Sequence, residues 1–138
     1  MILIIAGGRN YDLSPQDYSK IESLHLNIGI TEVVCGTPYD KSSGDPPIGA
    51  DQCGAAWAYE NDIPVKDMAP DWDNITRPGA VVRVRRDGKK YDAAAGPERN
   101  KRMSEYADAV ALFPGGVGTA SMYREAQKAG IEIFDYRE

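Results

Sequence analysis

Residues 114–119 read PGGVGT. Gly115, Gly116 and Gly118 carry no Cβ and reach main-chain conformations closed to other residues, so neighbouring N–H groups can converge on an anion. Thr119 is placed to cap a following helix, whose N-terminus would add partial positive charge. The chemistry such a segment suits is the gripping of a phosphate; a tight structural turn is the other use of the same glycines. A second pair, Gly7-Gly8 in AGGR (6–9), and Gly36 after TEVVC (31–35) repeat the pattern of a strand ending on glycine. Arg9 then either contacts a phosphate or base, or pairs with an acid in residues 37–51. The Walker ending Gly-Lys-Ser/Thr and the dinucleotide pattern GxGxxG are both absent.

Carboxylates near such a rim could act on whatever carries the phosphate. Asp51, in GAD (49–51), opens a helix that it could cap, or it could hold a ribose hydroxyl. Asp40 and Asp45 lie in the preceding loop, and Asn100 and Lys101 sit beside Arg99 at another helix start. Trp72 could stack on a base or pack beneath its loop; Trp57 reads as core. The one histidine, His25, sits in an apolar helical pattern, which leaves little room for imidazole or zinc chemistry. Cys35 and Cys53 are too few for a disulfide framework or metal cage. No cofactor and no metal is implied.

These residues need a scaffold, and the hydrophobic pattern supplies one. ILIIA (2–6), TEVVC (31–35), IPVKDM (63–68), AVALF (109–113) and IEIFDY (131–136) read as strands. Helices are expected from Ser14-Pro15 to Gly29, over 50–60, over 96–108, and from Thr119 to Ala129 with Gly130 as the stop. Alternation of this kind specifies an α/β fold, a Rossmann-like doubly wound parallel sheet that binds ligands beyond the carboxyl ends of its strands. AVVRVRRDGKKYDA (80–93) alternates apolar and basic residues around Asp87-Gly88, which predicts an inserted β-hairpin at about 80–92. The loop TPYDKSSGDPPIGAD (37–51) is long for a compact domain.

With 138 residues, 42% hydrophobic and 27% charged, the chain suits a single domain over 1–138. No apolar run is long enough to span a bilayer, and MILIIAGG has no basic flank or cleavage pattern, so a cytoplasmic location and no membrane partner are expected. Net charge is −5, which argues against nucleic acid as partner. Residues 81–102 nonetheless hold eight Lys/Arg against three acids, a basic patch on an acidic body that suits a small anion.

GGVGT, preceded about a dozen positions earlier by ERNKRM, resembles the SLOG superfamily of nucleotide-binding proteins. The segments IIAGGRNY, CG with GAD, IPVKDMAPDW, AAGPERNKRM and EYADAVALFPGG carry a closer resemblance to its small YspA/YpsA-related branch, many of whose members come from bacteria and phages. LOG-type phosphoribohydrolases are more distant members. The resemblance covers nearly the whole chain; residues 38–48 and about 77–92 look like elaborations. It implies a nucleotide ligand, a homodimer or higher homo-oligomer, and, from the LOG-type enzymes, hydrolysis of the N-glycosidic bond of a nucleoside 5′-monophosphate. Their motif PGGxGTxxE works with an arginine on the preceding helix, and Arg99 matches that arginine. The motif glutamate does not carry over, because Met122 stands there, at what the expected helix start makes its N3 position. Glu125 lies a turn further on and about 60° around the axis.

Two functions follow from the resemblance taken together with these residues. One is an N-glycosidase, with Arg99, Glu125 and Asp51 as catalytic candidates and a phosphate or nucleotide site made of Gly7, Gly8, Arg9, Gly36, Gly115, Gly116, Gly118, Thr119 and Asn100. Cleaving that bond builds positive charge on the ribose, which a carboxylate stabilises. The other is a module that binds a nucleotide or an NAD-derived signal without turning it over.

Overall fold

The computed structural model describes residues 1–137. Five parallel strands form one sheet in the order β3-β2-β1-β6-β7, built from β1 (Ile2–Ala6), β2 (Glu32–Cys35), β3 (Val65–Asp67), β6 (Ala109–Leu112) and β7 (Glu132–Asp135). The central strands β1 and β6 are apolar on both faces and almost wholly buried, as a sheet covered on both sides requires.

Helices α1 (Pro15–Ile28) and α2 (Gly49–Glu60) cover one face, where Ile21, Leu24, Cys53 and Trp57 pack with Leu3, Ile5, Val33 and Phe113. Helices α3 (Ala95–Tyr106) and α4 (Val117–Ala129) cover the other, through Met103, Met122 and Ala126 against Ile4, Val34, Val110 and Leu112. The fold is therefore a doubly wound, Rossmann-like α/β sheet. The order reverses at β1/β6, because the chain first winds outward from β1 on one face and then returns to β1's other side on the second. Such a switch point opens a crevice at the carboxyl ends of its two strands.

Local chemistry sets several boundaries. Ser14 accepts from the Asp17 N–H at 3.2 Å and the Asp17 carboxylate accepts from the Ser14 N–H at 3.0 Å, a capping box completed by Pro15 at the first helical position. Gly29 closes α1 with φ of +68°. Helix α4 begins at Val117, two residues earlier than the sequence suggests. Its N-cap is Gly116 and no side chain caps it. Thr119 is thus the third residue of the helix and buried, and Met122 is the sixth, not the third.

Between β3 and α3 the chain leaves the sheet. Strands β4 (Val82–Val84) and β5 (Lys90–Asp92) pair antiparallel as a separate ribbon, with Gly88 in a left-handed conformation and its N–H donating to Arg85 O at 2.9 Å. Asp92 anchors the ribbon's base. Its carboxylate accepts from Val81 N–H (3.0 Å), Ala94 N–H (2.9 Å) and Arg77 Nε (2.6 Å). No helix among the described residues is long and apolar enough to cross a membrane.

Candidate functional site

Three loops meet at the carboxyl edge of the switch point. After β1, the Gly8 N–H donates to Pro114 O at 2.9 Å, and Gly8 O accepts from the Ala50 N–H at 3.2 Å. Gly8 therefore joins the loop after β6 to the start of α2. Its own amide is taken up by protein, so it does not face an anion as the sequence suggested. Gly115 has to be glycine for reasons of space: a Cβ there would stand 2.1 Å from Thr119 Oγ1 and 2.7 Å from Gly8 N. Thr119 packs into that gap rather than capping α4.

This packing leaves the next stretch of backbone open. Residues 115–118 are exposed. Among the described residues, no protein acceptor takes the N–H groups of Gly115, Gly116, Val117, Gly118 or Thr119. Four of these, from the N-cap Gly116 to Thr119, are the orphan donors at the start of α4, where the helix dipole adds partial positive charge. Arg9 stands nearby on the exposed rim. It makes no ion pair with the 37–51 loop among the described residues, and its charge is felt by both Asp51 and Arg99.

Beside this row lies a carboxylate corner. Asp51 sits in the first turn of α2, but the N-cap is Ile48 with no side-chain bond, so Asp51 does not cap its helix. Its Oδ2 accepts from Thr37 Oγ1 at 3.2 Å, whereas its buried Oδ1 has no hydrogen-bond partner among the described residues. Burial pushes its carboxyl up to about 6, against the pull of the Arg99 charge, the Thr37 hydroxyl, the Gly7 N–H and Arg9. Arg99 reaches in from α3. Its Nη1 donates to Gly36 O and, at 3.2 Å, to Met68 O, and its Nε donates to Asn100 Oδ1 at 3.0 Å. Burial lowers the guanidinium's pKa, with Asp51 acting in the opposite sense. Gly36 leaves room for both groups: a Cβ would meet Arg99 Nη1 at 2.8 Å and Asp51 Oδ2 at 2.9 Å.

The remaining candidates fall outside this corner. Asn100 is buried and bonded to Gly118 O and Ser121 Oγ, so it braces the rim from beneath rather than facing it. Glu125 stands nine residues past Gly116 along α4, about 13 Å by helical rise. It pairs with Lys128 at 3.4 Å, and no hydrogen bond or ion pair joins it to the rim among the described residues. Met122 is 2% exposed within the core, so a glutamate at that position would point into apolar packing. Asp40 is held by its own loop, accepting from Ser42 N–H and Oγ.

The tryptophans and cysteines have structural roles. Trp72 packs on Gly96 and meets Tyr91 edge-on, and Trp57 Nε1 donates to Glu22 Oε1 at 2.9 Å. The Cys35 thiol donates to Thr37 O at 2.8 Å, and burial pushes it up to about 12, which leaves it inert. Thr37 was missed from the sequence, although its place directly after a glycine-ended strand marks it. A groove of about 390 Å³ between α1 and β7, lined by Lys20, Leu24, Phe134 and Tyr136 among others, contains none of the rim groups.

Comparison with family models, curated proteins and solved structures gives no match. The arrangement itself combines open main-chain donors, which suit an anion, with a buried carboxylate that lacks a partner on one oxygen.

Proposed function

We propose that the protein binds a nucleoside 5′-monophosphate, or a related nucleotide, with its phosphate on the amides of residues 115–119. We further propose that it hydrolyses the N-glycosidic bond to give free base and (deoxy)ribose 5-phosphate. The observation that carries the reading is the run of five N–H groups without protein acceptors among the described residues, at the topological switch point. Phosphate is the common biological anion that such a row and a helix N-terminus suit. Membership of the SLOG superfamily is part of the same reading, with the ribbon at 82–92 as an elaboration, and so is a homo-oligomeric state.

Asp51 supplies the reactive group. As a carboxylate beside the sugar it stabilises positive charge developing at C1′ and accepts a proton from the attacking water. The water oxygen bonds to C1′, and the base departs with the electron pair of the broken C–N bond and takes up a proton. Arg99 holds the corner in place through Gly36 O and Met68 O, and Arg9 adds positive charge at the open rim.

A second reading is binding without turnover. Met122 in the core and Glu125 paired with Lys128 favour it, because neither leaves a carboxylate where the LOG-type motif has one. Chromatography of a panel of ribo- and deoxyribonucleoside monophosphates incubated with the protein, run beside calorimetry, separates the two. Free base that disappears in Asp51→Asn supports hydrolysis. Tight binding with no free base leaves the binding module, and absence of binding to the whole panel removes both.

A further inference from the structure

Asn100 is 6% exposed and uses both ends of its amide. Its Oδ1 accepts from Arg99 Nε at 3.0 Å, while its Nδ2 donates to Gly118 O at 3.3 Å and to Ser121 Oγ at 3.2 Å. The partners fix which end is which, since a guanidinium only donates and a carbonyl only accepts. The side chain thus bridges α3 to the first turn of α4.

The two groups it holds are the two halves of the rim. On one side is the guanidinium that reaches the carbonyls of Gly36 and Met68 and stands beside Asp51. On the other is the peptide between Gly118 and Thr119. A trans peptide is planar, with its C=O and N–H pointing in opposite directions. Holding the Gly118 carbonyl from α3 therefore also holds the Thr119 N–H of the same peptide, one of the donors without a protein acceptor among the described residues. We infer that Asn100 is a positioning residue that couples the Arg99–Asp51 corner to the anion-gripping amides of 115–119, so that both halves engage one ligand in a fixed relation. The inference rests on the nucleotide-binding reading for what that ligand is, but the coupling is a property of the unliganded protein.

Asn100→Ala removes both arms. Its expected signature in nuclear magnetic resonance of the free protein is a joint movement of the Arg99 Nε–H signal and the amide signals of Gly116 to Thr119. Calorimetry should then show at least a tenfold loss of affinity for inorganic phosphate and for adenosine 5′-monophosphate. Asn100→Asp is the second variant, for use should the first fail to fold. It keeps an acceptor for Arg99 but sets a carboxylate oxygen against Gly118 O, so the amide signals and phosphate affinity should change while the Arg99 Nε–H stays bonded. Ser121→Ala, which removes one bond on the α4 side, should lower affinity less than either. A folded Asn100 variant that loses only stability, with Arg99 and amide signals at the parent positions, overturns the coupling. A parent protein that binds neither probe removes the functional reading instead, and the ligand-free signals still decide the coupling.

Discussion

Replacing Asp51 by asparagine should make the protein more stable while abolishing base release. Burial lifts the Asp51 carboxyl to about 6 from an ordinary 3.8. The folded protein then holds this proton more tightly than the unfolded chain, so its stabilising effect is full below pH 3.8 and is lost as pH rises through about 6. The gap between 3.8 and about 6, at about 1.4 kcal/mol per pH unit, amounts to about 3 kcal/mol against the folded state at neutral pH and above. Asparagine mimics the protonated acid in shape and charge and does not titrate. Asp51→Asn should therefore exceed the parent by about 3 kcal/mol at pH 7.5, with the advantage fading to nothing by about pH 4. Urea unfolding at half-unit pH steps, followed by fluorescence of Trp57 and Trp72, measures the difference through the transition midpoint. Parallel stability curves for parent and variant from pH 4 to 8 would refute the reasoning, because they would mean that the carboxyl is solvated and not held in a low-dielectric corner.

Gly115→Ala should abolish phosphate binding by calorimetry and cost about 1–3 kcal/mol in urea unfolding, because the new methyl collides with Thr119 Oγ1 and Gly8 N. Gly118→Ala meets nothing within 4 Å and should hold or slightly raise stability; equal losses in the two variants would show that the loop is not packed as described. Glu125→Gln breaks a single ion pair with Lys128 and should change stability by less than about 1 kcal/mol with base release intact, whereas a folded, inactive variant would return Glu125 to the site. Arg77→Ala should lower the melting temperature more at pH 7 than at pH 3. Burial works to raise the Asp92 carboxyl, but the N–H groups of Val81 and Ala94 and the Arg77 guanidinium outweigh it and hold the carboxyl below its usual range. The stability this carboxylate contributes is present above pH 3.8 and lost as pH falls, so an equal drop at both pH values would contradict the assignment.

The layers of the fold were legible because their signals are local. A β-branched run ending on glycine marks β1, and Ser14-Pro15 with Asp17 marks the start of α1. The start of α4 was misjudged because its boundary is tertiary: Thr119 fills the space above Gly115, which draws it into the helix instead of leaving it as a cap. Asn100 was misplaced for the same reason, since Gly118 and Ser121 come to it only when α3 packs on α4. Asp51 could be assigned to the rim from its place in α2. Its burial could not be read, because the groups around it come from the ends of β1 and β2 and from α3.

What the rim lacks is as specific as what it contains. Among the described residues, the amides of 115–119 are donors without acceptors, and Asp51 Oδ1 has no hydrogen-bond partner. Inorganic phosphate satisfies the first and leaves the second exposed to the cost of an unpaired buried oxygen. A free nucleoside does the reverse. A sugar carrying a phosphate answers both, with its anion on the row and a hydroxyl, or the positive charge of a breaking glycosidic bond, on the carboxylate. The affinity for a phosphorylated nucleoside should accordingly exceed what the phosphate and the nucleoside bind with separately. That excess should vanish in Asp51→Asn if the two vacancies belong to one site.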